Sequence, residues 1–216
     1  MSKGKNILKS LKGPVMITVV LMIICGLLFP LLLTGLSSII FPKQAGGSLI
    51  EVNGKVVGSE TVGQEFTEDY FMKGRPSAVH YNTYTEDKDG NLVFSDGSEF
   101  GGVASGSANY GPTNPELTKR VEADIEKFLK ENPEVNKNDI PADLMTASGS
   151  GLDPHISPKS AMIQVPALSE ASGISETELV EIIHNNTDGK LLGIFGEETV
   201  NVLGVNIQIA EKMNLL

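Results

Sequence analysis

The stretch richest in groups that could do chemistry is Pro141–Ser160, PADLMTASGSGLDPHISPKS. Its Ser, Gly and Pro residues suit sharp turns with exposed backbone amides. Asp153, just ahead of Pro154, can fold its carboxylate onto nearby N–H groups, and Ser157 can cap a helix begun by Pro158. Asp153 and His155 make half of an acid–base pair, but no nucleophile stands beside them in sequence. The spacing therefore favours partner docking by Gly149, Ser150, Gly151, Leu152, Asp153, Pro154, His155 and Ser157 over catalysis. His80, His155 and His184 lie far apart without metal-ligand spacing, and no metal site is expected. Residues 85–96 follow part of a calcium-loop spacing, but Thr85 stands at the first ligand position and Asp96 at the twelfth, where Glu belongs. The segment reads instead as an acidic loop turning at Asp89-Gly90. Walker A, GxSxG, HExxH and Asp-Lys-Thr-Gly patterns are all missing from the sequence.

What positions such a segment begins with PVMITVVLMIICGLLFPLLLTGL, Pro14–Leu36. No charged residue lies between Lys12 and Lys43, and thirteen of the nineteen residues 15–33 are Val, Ile, Leu or Phe. A helix over this stretch is about 34 Å long, enough for a hydrocarbon core of roughly 30 Å. A signal-peptide h-region is shorter, and Lys43 spoils a small-x-small cleavage site near Ala45. Cys25 follows two isoleucines, which does not suit a lipoprotein site. The span is expected to remain attached, with Gly26, Thr34 and Gly35 as the small residues that let a neighbouring membrane helix approach. Lys3, Lys5, Lys9 and Lys12 precede it, and no acidic residue occurs before Glu51. The positive-inside rule then places residues 1–13 in the cytoplasm as a basic tail, 14–36 in the membrane, 37–48 in a linker and 49–216 in an extracytoplasmic domain.

That outer part, counted from Lys43 onward, carries 13 basic and 27 acidic side chains, a net charge of −14, which argues against nucleic acid. Its expected class is α+β, one mixed α/β domain behind a single membrane helix. Two short strands, Leu49–Val52 and Lys55–Val57, meet at an Asn53-Gly54 hairpin turn. Residues 82–112 form a long polar loop. Asn114 caps a helix with Pro115 at its first position and an apolar stripe of Leu117, Val121, Ile125, Phe128 and Leu129. A second helix starts at Pro158 and is interrupted at Pro166. Ser175 and Glu178 form a capping box for a third. Leu191–Phe195 reads as a strand, and Val202–Met213 suits a terminal helix or a strand, with helix preferred.

Several separate stretches together resemble a known family. They are Phe41-Pro42 with Gly47-Ser48-Leu49, Val62–Phe66, Tyr70-Phe71 with Gly74–Ala78, Asn109–Pro112 with Asn114-Pro115, TASGSGLDPHISP at 146–158, and Val200–Asn206. The chain resembles the C subunit of the bacterial Kdp-type potassium-transporting P-type ATPase over nearly its whole length. Two departures are a longer, more acidic loop between Tyr84 and Asn109, and Gly106–Pro112 in place of the family's Gly-Gly-Ser-Asn-Leu-Gly-Pro. The resemblance implies a non-catalytic accessory subunit of a high-affinity potassium importer, bound to a channel-like potassium-binding subunit and an ATP-hydrolysing subunit. It also implies a role in raising ATP affinity of the pump subunit. The short cytoplasmic tail and the lack of a phosphate-cradling loop leave ATP and potassium as ligands of the whole complex, with no cofactor assigned to this chain. The rival expectation is a membrane-anchored extracellular enzyme using Asp153 and His155.

Overall fold

A computed structural model describes residues 2–216, with side chains from Ser10 onward. The charge reading at Lys3, Lys5 and Lys9 therefore lies outside the described side chains. The chain divides into two units, Met1–Leu49 and Ile50–Leu216.

The first unit is almost entirely helix. Helix α1, Ser2–Ile23, passes into a π turn at Ile24–Leu28 and continues as α2, Phe29–Ile40. Pro30 explains the turn: it has no N–H for the Gly26 carbonyl, and its ring crowds the turn before it. The wider turn absorbs this, with the Phe29 N–H donating to the Ile24 carbonyl five residues back. The stretch Ser10–Ile40 is one helix of 31 residues, long and apolar enough to cross a membrane. It overruns the expected limits at both ends. Residues 37–40, expected in a linker, continue the helix because nothing before Phe41-Pro42 breaks it, and Ser38 Oγ caps inward onto the Thr34 carbonyl at 2.8 Å. A single turn, α3 at Pro42–Ala45, follows.

The second unit is α+β. Strands β1 (Leu49–Val52) and β2 (Lys55–Ser59) pair through Asn53 and Gly54, whose φ values of 52° and 76° suit the tight hairpin turn. The long polar loop is partly ordered into a second hairpin, β3 (Thr85–Glu86) with β4 (Leu92–Val93). The Asp87 carboxylate accepts from the Asp89 and Asn91 amides, both at 2.8 Å, so this acidic group organises its own turn. Helix α4 (Pro115–Glu131) is capped by Asn114 as expected, and its stripe packs Phe128, Val121 and Ile125 around Leu144 and Met145.

The 149–157 segment contains β5 (His155–Ile156), and after it come α5 (Pro158–Met162), α6 (Val165–Ser172), α7 (Glu176–Asn185), β6 (Thr187–Asp188), β7 (Thr199–Asn201) and α8 (Val202–Lys212). Ser157, Ser175 and Asn201 each cap the helix that follows. The β7 strand is central in an antiparallel sheet of order β5-β7-β6, with His155 opposite Asn201 and Ile156 opposite Val200. The main core joins this sheet to α5–α8 through Ile156, Val165, Leu168, Leu179, Ile183, Val200, Val205 and Ile209. Each buried aliphatic side chain contributes on the order of 1.5–3 kcal/mol. The Leu191–Phe195 segment is not a strand. It folds into a tight turn between β6 and β7, punctuated by Gly189, Gly193 and Gly196, with only its end residues bridged.

Candidate functional site

The segment Gly149–Ser157 is held by its backbone to four distant parts of the second unit. The Ser150 carbonyl accepts from the Gly106 amide at 2.7 Å and from Ser105 Oγ at 3.1 Å. The Gly151 carbonyl accepts from Ser77 Oγ at 2.7 Å, and the Leu152 carbonyl from the Gly63 amide at 2.9 Å. The Pro154 carbonyl accepts from the Val202 amide at 3.0 Å, at the start of α8. Gly151 is buried with φ of 68°, so only glycine enters this conformation without strain. Gly63, Ser77 and Val202 fall in the stretches at 62–66, 74–78 and 200–206, while Ser105 and Gly106 lie where the sequence departs from the family's pattern. Motifs scattered over the sequence thus meet at one clasp.

Asp153 does what its position before Pro154 suggests, and one thing the sequence did not suggest. Its Oδ1 accepts from the His155 amide at 3.0 Å, while Oδ2 pairs with the Arg75 guanidinium at 3.0 Å. Arg75 also donates through Nε and a terminal nitrogen to the Thr146 carbonyl, both at 3.3 Å. Tyr81 closes the other side, its hydroxyl donating to the Arg75 carbonyl at 2.8 Å. Burial, helped by the Asp153 charge, pushes the Tyr81 phenol up to about 12, so it remains a neutral donor. The turn bearing Tyr81 is itself forced: His80, Tyr81 and Asn82 have φ of 47°, 52° and 55°. Three successive non-glycine residues in this region are costly and need outside support. Ser77 Oγ provides it by accepting from the Val79 and Tyr81 amides, and Asn82 exchanges two hydrogen bonds with the Ala104 backbone, both at 2.9 Å.

Asp143 is the second carboxylate of the clasp, also unanticipated. It accepts from the Ser157 amide at 2.8 Å, from Ser160 Oγ at 2.6 Å and from Ser157 Oγ at 3.3 Å. Burial alone would raise its carboxyl, but these hydrogen bonds outweigh it and hold the group below its ordinary range. The hydroxyls of Ser157 and Ser160 are thereby directed at Asp143. The His155 imidazole stands 3.8 Å from Asp153, too far for a hydrogen bond; its backbone amide makes the contact instead. A third grouping lies in the acidic loop. His80 stacks on Phe94 with ring centroids 4.8 Å apart, and its two nitrogens lie 3.5 Å from Glu65 and Asp96.

Along the membrane helix, Gly26 sits within the π turn, and a Cβ on Gly26 or Gly35 would meet nothing within 4 Å. Room for another backbone is therefore available at both. Among the described residues, no cluster of three or more His, Cys, Asp or Glu is placed to hold a metal ion.

The sequence model of the family described as KdpC, the K+-transporting ATPase c chain, matches residues 11–211. The potassium-transporting ATPase KdpC subunit of Clostridium kluyveri is 58% identical over 208 residues, 96% of each chain. That of Clostridioides difficile strain 630 is 56% identical over 214 residues, covering 97% of this chain and all of the relative. The subunit of Caldanaerobacter subterraneus is 41% identical over 205 residues, 95% of this chain and 96% of the other.

Proposed function

The chain belongs to the KdpC family, the c chain of K+-transporting ATPase, and from that premise we propose that it is a non-catalytic accessory subunit. Its work is assembly and stability of the complex, beside a channel-like potassium-binding subunit and an ATP-hydrolysing subunit. The observation that carries this reading is the commitment of the 149–157 polar groups to internal hydrogen bonds. Ser157 and Ser160 serve Asp143, and Asp153 serves Arg75 and a backbone amide, which leaves no activated nucleophile at the clasp. The clasp shapes a rigid surface on which exposed Gly149 and Ser150, with half-buried His155, face partners. Any influence on ATP affinity is transmitted through the partner subunits, since no phosphate-binding turn accompanies the cytoplasmic tail.

The N-terminus lies in the cytoplasm and the unit 50–216 outside, an orientation that rests on the four lysines ahead of the span. In a Cys25→Ser background, Ser95→Cys is expected to react with an impermeant maleimide on intact cells stripped of their wall. Labelling that appears only after lysis reverses the orientation. Wild-type chain is expected to leave mild detergent in fixed stoichiometry with larger membrane proteins; a chain that purifies alone defeats the accessory-subunit reading.

Gly26, Thr34 and Gly35 face a partner helix in the membrane. Gly26→Leu is expected to reduce copurification while the outer unit stays folded, because a side chain at this position holds the two backbones apart. Undiminished copurification assigns that face to lipid.

A further inference from the structure

The β6–β7 connection carries an apolar tip that the domain leaves uncovered. Leu191, Leu192, Ile194 and Phe195 are 61–81% exposed, although each is of a type that folding normally buries. The tip is nonetheless shaped. The Leu191 amide donates to the Phe195 carbonyl at 2.8 Å, the Phe195 amide returns to the Leu191 carbonyl at 3.0 Å, and the Gly193 amide reaches the Lys190 carbonyl at 2.9 Å. Leu192 is held at φ of 55°, a conformation uncommon for any side chain larger than Asn or Asp. Backbone order spent on presenting four apolar side chains to water points to an occupant. Residues 196–198 join the tip to β7, in the sheet that also holds His155 of the clasp.

Charge decides which occupant. Lys190 pairs with Glu197 at 3.3 Å, and Glu197 remains 87% exposed, with exposed Glu198 and Asp188 beside it. The apolar tip thus wears an acidic collar. Tips that dip into bilayers carry Lys or Arg around their apolar residues, and an anionic lipid surface repels carboxylates. Two copies meeting tip to tip would bring like collars together. We infer that the tip docks into an apolar slot rimmed by basic side chains on the outer face of a membrane-embedded subunit of the same ATPase. Apolar anchors inside a charged rim match the anatomy of protein interfaces whose energy is concentrated in a few residues. The inference rests on the accessory-subunit reading and the outward orientation given above.

The test uses the full chain, Cys25→Ser with Leu192→Cys, and Ile194→Cys as a second reporter. Maleimide reaction is timed for the chain alone in detergent, for the chain alone in phosphatidylcholine nanodiscs, and for the assembled ATPase. Both positions are expected to react freely in the first two settings and to be protected only in the complex. The pair Leu192→Ala and Phe195→Ala, which touches no core residue, is expected to weaken retention of the chain on the complex roughly 30-fold, the scale of an interface anchor. Protection in nanodiscs alone overturns the inference in favour of lipid. Free reaction in an assembled complex overturns it too, while wild-type copurification keeps the accessory-subunit reading intact. Failure of the wild-type chain to copurify removes both.

Discussion

Gly151→Ala is expected to destabilise the second unit by about 2–5 kcal/mol, a large share of the 5–15 kcal/mol that usually separates folded from unfolded chains. Two costs combine. An alanine at φ of 68° sits in the left-handed region, at roughly 1–2 kcal/mol. Its Cβ would also lie 2.5 Å from the Gly106 carbonyl oxygen and 2.9 Å from Val79 Cγ2. The Gly106 side cannot simply retreat, because its amide is bonded to the Ser150 carbonyl one residue away. Overpacking a site that cannot relax costs on the order of 1–3 kcal/mol. Gly149→Ala supplies the control: Gly149 is exposed and a Cβ there would meet nothing within 4 Å. Its effect should stay within about 0.5 kcal/mol. Denaturant unfolding of the full chain in detergent, followed by near-ultraviolet circular dichroism of the tyrosines, separates the two. Equal small effects would mean that the Gly151 carbonyl and its neighbours are not packed as the clasp requires.

What the sequence disclosed and what it withheld divide along chain separation. The membrane helix, the Asn53-Gly54 turn, the caps at Asn114, Ser157 and Ser175, and the terminal helix are written in residues within one or two turns of each other. Such signals depend on local backbone preferences and survive without knowledge of the fold. Arg75 and Asp153 are 78 residues apart, and Asn206 reaches 134 residues back to hold both backbone groups of Met72, at 2.8 and 3.0 Å. No periodicity announces pairs of this kind. Of the stretches quoted for the family resemblance, those at 62–66, 74–78, 146–158 and 200–206 meet at the clasp, a convergence that no local signal announces. Leu191–Phe195 misled for a different cause. Its Leu, Ile and Phe content carries strand propensity, but propensity reports fitness for a half-buried sheet surface, and here there is no partner strand and glycines intervene. The helix runs past its expected end because residues 37–40, assigned to the linker, contain no breaker ahead of Phe41. The acidic loop hid its hairpin because two-residue strands leave almost no pattern to read.

Asp153→Ala should open the clasp, while His155→Gln should leave it closed. The alanine variant strands the His155 amide and removes the ionic partner of Arg75, which keeps only its two 3.3 Å contacts to the Thr146 carbonyl. Unpaired groups of this kind cost roughly 1–3 kcal/mol when buried. With the two side chains 24% and 27% exposed, water compensates in part, so the lower half of that range is expected. A double-mutant cycle of Arg75→Met and Asp153→Asn, with both single variants measured, isolates the pair, with a coupling of about 0.5–3 kcal/mol if the two act as one unit. His155→Gln retains the backbone amide that Asp153 actually holds, and the imidazole it removes stands 3.8 Å away. Stability should therefore change little. In the assembled ATPase, potassium-stimulated hydrolysis is expected to fall for Asp153→Ala in step with loss of the subunit from the complex, and to persist for His155→Gln. If His155→Gln instead assembles fully, folds normally and still abolishes turnover, the imidazole takes a direct part in the transport cycle. The clasp would then be more than a scaffold, and the reading of this chain as non-catalytic would fall with it.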